Sequence, residues 1–199
     1  MFDIQEWLIS IFGSSGEAGL IICVFLIFLI DGLGVPTLPE LFIVGAFMYD
    51  PDNIMFGIEL LLAAISAEII GVSVLYWIVG HLTVPKRIQN IMNKYVNFLI
   101  LKDERLLLLN RIAPMLPLSG AFVSVAGWDI RKALMYVVIG CIMKYGLILI
   151  MSNFFFSYFS GGDAQLVTFA FIFGVIGVSF VASIVAKKRL APKEDQSEN

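Results

Sequence analysis

Five charged residues of this 199-residue chain, Asp31, Glu40, Glu68, Arg111 and Lys144, stand among apolar neighbours, and they carry whatever chemistry the chain can do. An ionisable group at hydrocarbon depth is costly, so each is a functional hypothesis by default. Asp31 and Glu40 are candidates for proton exchange, because burial favours a neutral carboxyl and a nearby cation favours the charged form. A helix-end role is the plainer alternative, since a carboxylate at a helix N-terminus is electrostatically favourable. Arg111 offers a planar fork of donors suited to a phosphate, or a partner for a carboxylate. Glu68 and Lys144 are expected to pair with each other, because each would otherwise be buried with its charge uncompensated.

These residues need unusual elements to hold them. Asp31 and Glu40 bound the stretch DGLGVPTLPE, which contains Gly34, Pro36 and Pro39 and separates the apolar runs Ala18 to Ile30 and Leu41 to Met48. Neither run reaches the roughly 20 residues that a crossing needs, and a proline lacks the amide hydrogen of a continuing helix. The expected element is a helix, a break and a returning helix. Arg111 opens a second such stretch, RIAPMLPLSGAFVSVAG, with Pro114, Pro117, Gly120 and Gly127, and it repeats the Pro-x-Leu-Pro of the first. Irregular backbone is tolerated at membrane depth only where protein or a wet cavity satisfies its polar groups, so each break marks a site.

With 59% apolar and 15% charged residues, the chain reads as a polytopic membrane protein with all-α structure. Cys23 and Cys141 each fall inside an apolar run and read as small buried hydrophobes. No basic region precedes the first apolar run, which argues against a cleavable signal peptide. Eleven of the thirteen basic residues fall in Lys86 to Arg105, Arg131 with Lys132, and Lys187 to Lys193, whereas the other connections carry only acidic residues. This one-sidedness puts the basic loops and the C-terminus in the cytoplasm and the protein in the plasma or inner membrane.

In order, the pattern predicts an interfacial helix over 2–12, the first hairpin, a turn at 50–53, and a span over about 56–80. The small residues Ala63, Ala67 and Gly71 in that span should let a neighbouring helix approach, with Glu68 turned toward protein. A surface helix over about 86–99 leads to the second hairpin and a span over about 131–153. A loop over 154–162 and a last span over 165–186 follow. Residues 1–186 form one membrane-embedded domain and 187–199 a polar tail expected to be disordered. His81, the single histidine, sits at a span end. Hairpin plus span, twice over and entering from opposite sides, is an inverted-repeat transporter plan.

On Asp31, Gly34, Pro36, Pro39 and Glu40, then Ala67, Gly71, Tyr76 and Gly80, then Arg111, Pro114, Ala126 and Gly127, the chain resembles the DedA-type membrane proteins, which share the VTT domain with eukaryotic lipid scramblases. The resemblance covers residues 18 to about 185. It departs at Pro117, where the family pattern has a second arginine, and at Lys144, where a tryptophan is common. The resemblance implies re-entrant hairpins and movement of lipids or lipid-linked phosphates, coupled to protons, without a cofactor or metal. Membrane lipids, an anionic substrate, protons and a second copy of the chain are the expected partners, and nucleic acid is not. Other readings are a small-ion or drug/proton transporter of the same architecture and a membrane scaffold. An enzyme is disfavoured, because the sequence has none of the H-E-x-x-H, G-x-S-x-G or cysteine-histidine signatures.

Overall fold

Helices account for all the regular structure in the computed structural model, which describes residues 16–35, 37–81, 103–112, 118–159 and 162–190. The expected helices over 2–12 and 86–99, and Pro36, Pro114 and Pro117, lie outside the described residues. Helix α1 (Gly16–Gly32) ends at the first break and α2 (Pro39–Phe47) resumes after it; a turn then leads to α3 (Ile54–His81). Helices α4 (Leu106–Ile112), α5 (Ser119–Val125) and α6 (Ile130–Tyr158) come next. Helix α7 (Gly162–Leu190) follows.

Among the described residues, three segments, α3, α6 and Leu166–Val185 within α7, are long and apolar enough to cross a membrane. Their outward faces carry large apolar side chains, among them Leu62, Trp77, Ile150 and Phe173, as expected where the surrounding solvent is hydrocarbon. The three spans read from the sequence are present, with two corrections. The helix expected to stop before residue 154 runs to Tyr158, its end packed by ring contacts of Phe154 with Tyr158 and of Phe155 with Phe171. The last helix also continues through Leu190, past the expected tail start at 187, because Lys and Arg are good helix formers and the first proline comes at Pro192.

Helix α3 is the hub, with α1 along one side and α5 along another. A Cβ added at Gly71 would lie 2.9 Å from the Gly32 backbone, so α1 and α3 cross nearly backbone to backbone. Gly120 does the same for α5, where a Cβ would meet the Val72 carbonyl oxygen at 2.4 Å. The small-residue ridge is therefore used, through Ala64, Ala67 and Gly71, which are buried; Ala63 is only partly so. Leu20, Val24 and Phe28 of α1, Ile43 and Phe47 of α2, Leu60 of α3, Leu106 of α4, Phe122 of α5 and Tyr145 of α6 form one continuous core.

Two ties close the end of the bundle near the 50–53 turn. The Asn153 side chain of α6 donates to the Pro51 carbonyl at 2.8 Å, and the Asn53 amide reaches Glu17 at 3.4 Å. Elsewhere, Glu104 accepts from the Asp129 backbone N–H at 2.9 Å and joins the start of α4 to the start of α6.

Candidate functional site

The first break touches the residue that precedes α5. Gly34 has φ +90°, a conformation open to glycine, and a Cβ there would lie 2.1 Å from Leu118 Cδ2. Leu118 precedes α5 and itself holds φ 59° and ψ 54°, the left-handed region that a branched residue rarely enters. Hydrogen bonds from the Gly34 N–H to the Asp31 carbonyl and from the Val35 N–H to the Ile30 carbonyl close the end of α1. Pro39 then starts α2 at the first turn, where its missing N–H is harmless, as expected from the sequence.

Around this contact lies a cavity of about 460 Å³ lined by all five charged residues, together with Thr37, Asn110, Ser119 and Tyr145, and with Ile176, Ser179 and Phe180 of α7. Asp31 comes from the end of α1, Glu40 from the first turn of α2 and Glu68 from mid-α3; Arg111 comes from α4 and Lys144 from α6. The sequence singled out these five, and the fold gathers them in one place.

Their pairing differs from the expectation. Arg111, not Lys144, is the partner of Glu68: Nη1 donates to Oε1 at 2.7 Å and Nη2 to Oε2 at 2.6 Å, a bidentate fork onto a fully buried carboxylate. Asp31 Oδ2 lies 3.8 Å from Arg111 Nη1, while its other oxygen, Oδ1, accepts from the Thr37 hydroxyl at 3.1 Å. Lys144 instead forms its ion pair with Glu40 and sits 5.4 Å from the centre of the Tyr145 ring.

Three local features set this pairing. Gly140 of α6 leaves a slot for the Arg111 stem, where a Cβ would meet Arg111 Cγ at 2.7 Å and Cβ at 3.1 Å. This slot directs the guanidinium across to α3. On the other side, Gly32 leaves the space in which Glu68 Oε2 sits, 3.3 Å from where its Cβ would be. Immediately after Gly140 and Cys141, α6 opens into a π turn over Ile142–Gly146, which holds Lys144 and Tyr145. A π turn inserts one residue into the helical register and is frequent at functional sites. Here it faces Lys144 to the first break while Tyr145 stays buried, its ring edge-on to Phe28 at 4.8 Å.

Gly120 and Gly127, expected in the second break, have different places. Gly120 is inside α5 at its crossing with α3, and Gly127, with φ +66°, ends the turn after α5. His81 closes α3, its Nδ1 2.9 Å from the Trp77 carbonyl oxygen and its ring against Trp77. Thr37, Tyr145, Asn110 and Ser119 were not singled out from the sequence. Asn110 donates to Ser119 Oγ at 3.3 Å across the second break. Thr37 lies inside the first break and Tyr145 beside Lys144, and that adjacency is the only signal that the sequence offers for them.

Chemically, the arrangement is a charged pocket with one more carboxylate than cation. Searches against family models, curated proteins and solved structures find no match to this chain.

Proposed function

We propose that this protein moves an anionic lipid, a phospholipid or a lipid-linked phosphate, across the bilayer together with protons, as a divergent DedA-type protein. The observation that supports this best is the pocket in which three carboxylates, Asp31, Glu40 and Glu68, face two cations, Arg111 and Lys144, where two helix breaks meet. With every group ionised the pocket carries one surplus negative charge, which repels an anion. One proton on a carboxylate cancels that charge, so proton and anion favour each other's entry. Asp31 suits this role, because Glu68 and Glu40 are each in close contact with a cation, whereas Asp31 is 3.8 Å from Arg111 and more exposed than either.

A phosphate headgroup would occupy this pocket, and acyl chains would leave it past the apolar side chains of α7 that line it, Ile176 and Phe180. Alternating access would come from two hairpins entering from opposite faces, the inverted-repeat plan. A headgroup-translocation assay in proteoliposomes, with and without a pH gradient, tests the function. Transport of a phosphorylated lipid that responds to the gradient, and loses that response in Asp31→Asn, is expected. A folded wild-type protein with no translocation of phosphorylated lipid overturns it.

A further inference from the structure

The two cations of the pocket are held in different ways. Both terminal nitrogens of Arg111 are on Glu68, at 2.7 and 2.6 Å, and its stem is seated against Gly140. An anion that captured this guanidinium would break two charge-assisted hydrogen bonds and leave a carboxylate of zero exposure without its partner, the costly outcome for a buried pair. Among the described residues, Lys144 faces a single carboxylate, on a π turn whose next glycine, Gly146, has only Leu61 within 4.0 Å of a Cβ position. Its partner Glu40 lies in the first turn of α2, where the helix dipole continues to favour a negative charge after the lysine leaves. Exchange of an anion onto Lys144 is thus the less costly of the two.

We infer that Lys144 is the residue that binds the phosphate-type anion, that Glu40 is the internal anion which occupies Lys144 until the substrate displaces it, and that Arg111 is a positioning residue. This deepens the anion-transport reading above and rests on it. The ligand chemistry is a phosphate group, carried either by a lipid or by a free ion, and the hydroxyls of Thr37, Ser119 and Ser179 line the same space.

Glu40 and the anion compete for one ammonium, so removing the carboxylate charge should tighten anion binding. The test is titration of the purified full-length chain in detergent with two probes, inorganic phosphate and short-chain phosphatidic acid. Glu40→Gln is expected to bind phosphatidic acid about fivefold or more tightly than wild type, the low end of ordinary coupling between sites. Lys144→Met should lose binding and Lys144→Arg retain it. The same pattern with inorganic phosphate identifies the bare anion as sufficient, whereas the pattern with phosphatidic acid alone identifies a lipid headgroup.

Unchanged affinity in Glu40→Gln, or wild-type affinity in Lys144→Met, overturns the inference. Should Lys144→Met fail to fold, the gain in Glu40→Gln and retention in Lys144→Arg still decide it. Transport by wild type with an unaltered KM in Lys144→Met removes this inference alone. No transport by wild type, with neither probe bound by it or by Glu40→Gln, removes the function as well.

Discussion

Arg111–Glu68 and Lys144–Glu40 lie in one pocket and join opposite charges, yet they differ in how they are built. The first has two parallel contacts, a fully buried carboxylate and a stem locked by Gly140; the second has one contact, made from a widened helical turn. The first has the form of a structural clamp between α3 and α4, and the second that of an exchangeable contact between α2 and α6. The lesson is that charge count alone does not reveal which ion pair in a membrane pocket is free to react. Geometry around the pair does, through the number of contacts and the cost of leaving the partner alone.

The predictions probe that difference in order of effect. The largest is all-or-none and concerns the faces from which the two breaks enter. Single cysteines at the exposed positions Asp52 and Lys132 should be labelled by an impermeant reagent from opposite sides of the membrane. The native Cys23 and Cys141 are buried and should stay silent. Labelling of both from one side would overturn the proposed inverted repeat and with it the opposed hairpins.

Next in size is the stability contrast. Arg111→Met should cost roughly 3–5 kcal/mol, because it strands a buried carboxylate. Lys144→Met should cost less than this, since Glu40, though buried, keeps some exposure and sits in the first turn of α2, where a negative charge is favoured. Thermal unfolding in detergent reads both, and equal losses would abolish the distinction between clamp and exchangeable contact.

Two glycines in α6 sharpen it further. Gly140→Ala places a methyl group against the Arg111 stem and should cost about 1–3 kcal/mol through overpacking. Gly146→Ala meets only Leu61 at 4.0 Å and should be neutral or stabilise by up to about 1 kcal/mol, the helix-propensity gain. Opposite signs in the same unfolding assay are the expected result.

The smallest effect lies outside the membrane. The N–H groups of its own residue and of Asp129 hold the Glu104 carboxyl below its ordinary value of 4.5. A depressed folded value means that the stability this contact adds is complete above the unfolded pKa and is lost as pH falls through the folded one. Glu104→Gln should therefore unfold slightly earlier at neutral pH, by less than about 1 kcal/mol, and show a shallower acid limb. An unchanged melting profile from neutral to acid pH would mean that the contact does not hold α4 to α6.

The sequence made the breaks legible because proline and glycine act locally: Pro39 cannot continue a helix, and Gly34 permits a positive φ wherever the chain turns. The three spans were legible through length and hydropathy, and the burial of Glu68 through its place beside Ala67 and Gly71. Which cation meets which carboxylate was not legible. That depends on rotation about helix axes at α3 and α6, and the one-residue shift at Ile142–Gly146 has no composition cue. The pairing of Glu68 with Lys144 was expected on the ground that two buried charges need each other, and that reasoning carries no information about direction. Leu118 was equally hidden, since nothing in a leucine announces left-handed backbone.

Leu118 has a consequence of its own. A branched residue in that conformation stores on the order of 1–3 kcal/mol, and here the tension is borne where the first break meets the residue before α5. Leu118→Gly would relieve that strain without asking the backbone to move, since glycine enters the left-handed region freely.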